Sequence, residues 1–573
     1  MNSTLPIERA RLRLLEAAVP LLLVLLAVPA FAATGIVTTK HNLSSQSSAN
    51  IRAVSETEVC IFCHTPHRAM TEGPLWNHEL AGLGYTTYSS STMKAIVGQP
   101  SGASRLCLSC HDGTVAIGML HNQTLPVSFR NGVTTMPPGA ANLGTDLSND
   151  HPISFRYDST LAGLNPELNS PATLNQQVRL DRDGLLQCTS CHDPHSDTFG
   201  KFLVMDPRGG QLCVTCHNPN YWTASSHKTS TKTWNGSGQN PWPHTNYTTV
   251  ADNACANCHA PHGAGTARRL LNFAVEEDNC LNCHNGNVAA KDVAADFSKF
   301  SVHPITLTAG VHDPMENLVN PPRHVECVDC HNPHAAKQLT AVAPNASGAL
   351  AGVRGVDATT GAAANPVTKE YELCFRCHAD SLNRGSAIVP RVAPETNTRY
   401  EFATVNASYH PVLGAGKQGT SPSLIAPWNT TSVMYCTDCH NSDQSPAAGG
   451  SGANGPHGSL YTPILERQLV VADFNAENSG TYALCYKCHS RTVVTDENAS
   501  SWLYHKKHVV EKQAACTTCH DPHGVVANAH LINFNTTYVS PNGGVISFND
   551  GAVGARYCTL TCHGTAHDST KKY

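Results

Sequence analysis

The sequence predicts a fold of mostly irregular coil with short helices and few strands, strung along covalently attached prosthetic groups in place of a conventional apolar core. Three observations predict it. The first is a repeated pattern, Cys-x-x-Cys-His, which begins at Cys60, Cys107, Cys188, Cys213, Cys255, Cys280, Cys327, Cys374, Cys436, Cys485 and Cys516, with a looser three-spacer copy from Cys558 to His563. Two thiols at this spacing add to the vinyl groups of a haem, and the histidine after them becomes an axial ligand of its iron. The second is arithmetic: twelve motifs of two cysteines use all 24 cysteines in the chain. Zinc or disulfide chemistry gives no reason for a histidine after every pair. The third is composition, with aromatic residues at 6%, charged residues at 14%, and 35 prolines and 42 glycines in 573 residues. At about 45 residues per motif, little is left from which to build an ordinary core, so twelve haems c must supply most of the buried apolar surface.

Residues 1–32 fit a secretory signal, with Arg9, Arg11 and Arg13 ahead of an apolar run and Ala30-Phe31-Ala32 as the cleavage site. The apolar run is shorter than the roughly 20 residues of a membrane span. The product is therefore expected in the periplasm, at the outer-membrane surface or outside the cell. A net charge of −5 gives no reason to expect nucleic acid as a partner.

The motifs then fall into six two-haem modules, an internal repeat. In each, the first motif carries a Pro-His pair shortly after its proximal histidine, and another histidine stands upstream. Module 1 (33–140) has His41 upstream, Cys60, Cys63 and His64 followed by His67, then Cys107, Cys110 and His111. Module 2 (141–235) has His151, then Cys188, Cys191 and His192 followed by His195, then Cys213, Cys216 and His217. Module 3 (236–295) has His244, then Cys255, Cys258 and His259 followed by His262, then Cys280, Cys283 and His284. Module 4 (296–400) has His303, then Cys327, Cys330 and His331 followed by His334, then Cys374, Cys377 and His378. Module 5 (401–500) has His410, then Cys436, Cys439 and His440, with the Pro-His pair displaced to Pro456-His457, then Cys485, Cys488 and His489. Module 6 (501–573) has His505 or His508, then Cys516, Cys519 and His520 followed by His523, then Cys558, Cys562 and His563.

Six upstream and six Pro-His histidines match twelve irons one for one, which predicts bis-histidine ligation throughout. Chain reach adds a rule of wiring. Three residues span at most about 11 Å, and Pro194 narrows the path, so His195 cannot close on the haem held by His192 and must ligate another. The same holds for His67, His262, His334 and His523. The remaining His78, His121, His227, His312, His324 and His530 read as hydrogen-bonding residues, with His567 open between the two roles. Proline two residues beyond the proximal histidine disfavours helix there. A short helix is expected near 481–485 and a hairpin near 543–548.

On these doubled motifs the chain resembles the multihaem c-type cytochromes of metal-reducing bacteria, in particular dodecahaem members. The resemblance implies long-range electron transfer by hopping between low-spin haems. It also implies partners among other redox proteins, extracellular electron acceptors, an outer-membrane porin or, through self-association, a cytochrome filament. An iron with two histidine ligands has no open position for substrate, so an electron carrier is expected rather than an enzyme. The rival reading, a multihaem reductase, needs one open haem face.

Overall fold

In a computed structural model, the structure describes residues 35–306, 312–417 and 420–573; the expected signal segment, 1–32, lies outside them. Regular elements are short. Among the described residues the longest helices are Gly102–His111 and Glu370–His378, each ending on a motif histidine. Most strands pair in twos, as Phe155–Arg156 does with Leu185–Leu186 and Ser408–Tyr409 with Gly524–Val525. The expectation of coil with short helices and few strands is met.

One local rule recurs at the motifs. The histidine N–H returns to the carbonyl of the first cysteine four residues back, at 2.8 Å from His64 to Cys60, 3.0 Å from His192 to Cys188 and 2.9 Å from His520 to Cys516. This single helical turn gathers two thiols and an imidazole on one side, because residues four apart stack along a helix. It appears as the short helices Cys188–Cys191, Cys327–Cys330 and Cys516–Cys519, and as the tighter turns Cys60–Phe62, Cys436–Asp438 and Cys485–Lys487. The helix expected at 481–485 is this last turn, displaced to its C-terminal end.

The final motif departs from the rule. Cys558 and Cys562 lie in the strand Tyr557–Cys562, which pairs with Val539–Ser540, Ser547–Asn549 and Thr565–His567. The expected hairpin near 543–548 is part of this sheet. A strand rises about 3.3 Å per residue, so these two cysteines stand about 13 Å apart, whereas a helical turn advances only about 5.4 Å.

Apolar burial is divided among small clusters, none joining into a single core. One contains Val356, Phe375, Ala379, Phe402, Val412 and Met434, with Cys436 and Cys439 against it. Others border Cys63, Cys216, Cys283, Cys485 and Cys516, and the C-terminal sheet packs Ile532, Phe534, Val539 and Leu560 beside Cys519, Cys558 and Cys562. Each of these clusters lies against at least one motif cysteine.

Gly524 shows how close the backbone comes. A methyl group there would overlap the Glu401 carbonyl and press on Tyr409 Cβ at 3.0 Å. Gly524→Ala should therefore lower stability by about 1–3 kcal/mol, the usual cost of overpacking. Chemical denaturation of the holoprotein checks this, and an unchanged midpoint would refute it.

Candidate functional site

The histidine of a first motif is oriented by a later return of the chain. Beyond the motif the backbone comes back as a β-bridge, pairing His64 with Trp76, His192 with Leu203, His259 with Leu271, His440 with Leu465 and His520 with Ile532. A residue just before each bridge bends into the left-handed region: Leu75, Lys201, Arg269, Ile464 and His530 have φ of 58°, 53°, 55°, 52° and 58°. Such conformations cost of order 1 kcal/mol each. The bend turns a carbonyl onto the ring. His64 Nδ1 donates to Pro74 O at 3.0 Å, His192 to Lys201 O at 2.9 Å, His259 to Arg269 O at 2.8 Å, His440 to Pro463 O at 2.9 Å and His520 to His530 O at 2.7 Å. A carbonyl only accepts, so Nδ1 carries the proton and Nε2 keeps a bare lone pair. That is the ligating tautomer.

Four upstream histidines are set in the same way, by an acceptor no local pattern shows, while His151 Nδ1 donates to its neighbour Pro152 O at 2.9 Å. His41 Nδ1 donates to Pro194 O at 3.0 Å, His227 to Pro333 O at 2.9 Å and His303 to Pro456 O at 2.7 Å, and His410 donates to Pro522 O. These prolines are the ones in the Pro-His pairs of the next modules along. Carboxylates take the role for two Pro-His histidines: Asp150 Oδ1 for His262 and Glu401 Oε2 for His523, both at 2.9 Å. Burial pulls His523 down, but Glu401 more than offsets it and leaves this imidazole above its ordinary value.

Eleven pairs of imidazoles then face each other with ring centroids 6.1–6.3 Å apart. The separation has a simple meaning. Two nitrogens bonded to one metal from opposite sides are about 4 Å apart, at about 2 Å per bond, and each ring centre lies about an ångström behind its nitrogen. The residues therefore fit an iron held between two histidines.

The Pro-His set opposes the first-member histidines, always one module back: His195 faces His64, His262 faces His192, His334 faces His259, His457 faces His331 and His523 faces His440. Each upstream histidine opposes the second-member histidine of the module it leads: His41 faces His111, His151 faces His217, His227 faces His284 and His303 faces His378. Burial, and then His410 as the foremost neighbouring imidazole, depresses His489 to about 4. In the last module His505 faces His520 and His508 faces His567.

Three predicted residues are not brought to such a partner. His67 is exposed and faces no imidazole, since no earlier module within the described chain presents a first-member histidine to it. His244 lends its carbonyl to Lys201 Nζ at 2.8 Å while His227 takes the place expected for it. The equal gaps from His244 to Cys255 and from His505 to Cys516 do not mark equal roles, because His505 faces the first-member His520 and His244 faces no imidazole. A better signal is the distance from upstream histidine to motif, in which His227 resembles His303 and His410. His563 points its Nε2 at the buried Asp473 carboxylate, 2.6 Å away, and lies tilted against Phe474 with ring centroids 4.5 Å apart. His505 and His508, posed as alternatives, both face partners. His78 is bonded at both nitrogens, and His121 pairs with Glu79 at 2.9 Å.

The thiols form a continuous series. Cys107 touches Cys188, Cys213 touches Cys255, Cys280 touches Cys327, Cys374 touches Cys436 and Cys485 touches Cys516, each joining one module to the next. Burial pushes Cys63 up to about 11 and Cys110 and Cys191 up to about 12. Burial and neighbouring imidazoles likewise hold His217, His284 and His440 at about 4, hence neutral.

A buried acid sits within this series. Glu276 is pushed up to about 8 by burial and then by Glu326 beside it, while Arg269 lies 3.9 Å away. A raised carboxyl favours the protonated folded state, so its stabilising contribution is present below 4.5 and is lost as pH climbs through about 8. Between pH 5 and 8.5 the melting temperature of Glu276→Gln should therefore fall less steeply than that of the wild type. Parallel curves would refute it.

A family model described as outer membrane cytochrome MtrC/MtrF-like, domains II/IV, matches residues 247–409. A doubled CXXCH motif model matches residues 182–220. The chain is also similar to the multiheme cytochrome MtrA of Shewanella baltica (strain OS185), at 29% identity over 162 residues, covering 26% of this chain and 36% of that relative. The match thus spans about a third of the relative's length. Among the described residues no helix is long and apolar enough to cross a membrane.

Proposed function

We propose that this multihaem c-type cytochrome carries twelve covalent haems and passes electrons along them by hopping, as an exported carrier in extracellular or metal respiration. The observation that carries the proposal is the set of facing imidazoles at one iron-sized separation. Bound haem supplies one-electron chemistry at each site. The chain's own residues would hold Nε2 toward the iron from two sides, exclude water and substrate from it, and keep successive thiols side by side. Electrons are expected to leave to a partner cytochrome, a metal complex or a redox protein seated in an outer-membrane porin. The six modules are the units of this wire.

At the twelfth site, His567 supplies the imidazole opposite His508 and Asp473 keeps His563 away. Mass spectrometry of the mature protein should count twelve haems, and low-temperature EPR should find every ferric iron low-spin. His567→Ala should convert one iron to high-spin, whereas His563→Ala should convert none; the reverse result would return the proximal role to His563. A wild-type high-spin signal that shifts with nitrite would overturn the carrier reading in favour of a reductase.

A further inference from the structure

One cluster of chemistry-bearing side chains contains no motif histidine, although its own His312 and His324 rings lie 6.0 Å apart. His312, Glu316, His324 and Asp329 converge with one donor atom each, all within 4.8 Å of one another. Their side chains are 9%, 5%, 1% and 10% exposed. His312 Nδ1 lies 2.9 Å from Asp329 Oδ1 and 3.1 Å from Glu316 Oε1.

The informative atom is His324 Nε2. Its ring partner, Nδ1, donates to Pro322 O at 2.7 Å, so Nε2 of the neutral ring carries a lone pair. That atom is buried without a hydrogen-bond partner and is aimed at Glu316 Oε2 and Asp329 Oδ1, 3.4 Å from each. Three acceptors facing one another in a dry site repel unless a positive charge lies between them. Arg376 supplies one from the side, its Nη2 lying 2.5 Å from Glu316 Oε1 and 2.9 Å from Asp329 Oδ1, but it makes no hydrogen bond to His324.

We infer that His312, Glu316, His324 and Asp329 form a non-haem site for a divalent first-row transition ion of the Zn2+ class. Two imidazoles with two carboxylates are a donor set suited to such an ion, and less so to Ca2+ or Mg2+, which favour all-oxygen shells. Bonds of about 2.1 Å put tetrahedral donors about 3.4 Å apart, so the cluster has only to draw in slightly. Arg376 then serves as the outer partner of the two carboxylates. Asp329 lies inside the Cys327–Cys330 loop and Arg376 inside the Cys374–Cys377 loop, so the ion would couple electrostatically to both motifs of module 4.

The test uses haem-loaded protein stripped of exchangeable ions by a chelator, equilibrated with Zn2+ alone, dialysed and measured for zinc against haem iron. Wild type should retain one zinc per chain. His324→Ala and Glu316→Gln should each weaken retention at least tenfold, and His121→Ala, at a surface pair, should behave as wild type. Zinc should also shift the reductive titration of the wild type and leave that of His324→Ala unmoved. Zinc uptake reads the site independently of the electron-transfer reading. If His324→Ala does not hold its full haem complement, Glu316→Gln with an intact haem spectrum decides. No retained zinc in the wild type, or retention in both variants equal to that of the wild type, would show that the cluster is an ion-pair network closed by a proton on His324.

Discussion

His195→Ala is expected to open one iron, and that iron is the one bound through Cys60 and Cys63, far back in the sequence from the substitution. His195 faces His64 at 6.3 Å, while its near neighbour His192 faces His262 at 6.1 Å. Removing the imidazole leaves the Cys188/Cys191 haem with both axial ligands. The reduced variant should bind one carbon monoxide per twelve irons, where wild type binds none, and added imidazole should compete with it. A triple variant also lacking Cys60 and Cys63 should lose this binding. Carbon monoxide binding that survives in the triple variant would sink the assignment, as would its absence in His195→Ala. His67→Ala should leave all irons closed, since His67 faces no imidazole.

The second large effect is loss of the fold without haem. Buried apolar residues occur in separate clusters of a few side chains, all but one of them lying against motif cysteines. Conformational entropy of about 1–2 kcal/mol per ordered residue cannot be offset by patches of that size. Chain produced without haem attachment should show the circular dichroism of coil and be digested by protease far faster than holoprotein. A protected, cooperatively melting apoprotein would contradict a core built from porphyrin.

Much of this is legible in the residues. The motifs, the module pairing and the sparse secondary structure come from local spacing, and local spacing is what a sequence displays. The rule that Pro-His histidines serve another haem comes from chain length alone, and the facing pairs agree with it. Which other haem is illegible, because the partner of His195 lies one module back and nothing in Asp193-Pro194-His195 encodes that distance. His227 is hidden because it precedes no proline, and its acceptor, Pro333 O, is more than a hundred residues away. The returning strands after the first motifs do leave a trace, in Lys201-Phe202-Leu203, Arg269-Leu270-Leu271 and His530-Leu531-Ile532. Their meaning lies in a carbonyl turned by left-handed backbone, which composition does not show. At Cys558 the extra spacer residue is plain, but not that it draws the motif into a sheet.

The one-module offset of the Pro-His histidines gives the chain an arrow. A polypeptide emerging N-terminus first would hold each first-member iron with its sixth position vacant until the next module arrived to close it. Closure would then pass down the molecule as a wave, each unit capped by its successor, with His505 capping the last from within. Truncation from the C-terminal side would leave a reactive iron at the cut; truncation from the N-terminal side would leave only an idle histidine. The two ends of the chain would therefore be unequal in what they tolerate, since loss from one side would open an iron where loss from the other would cost only length.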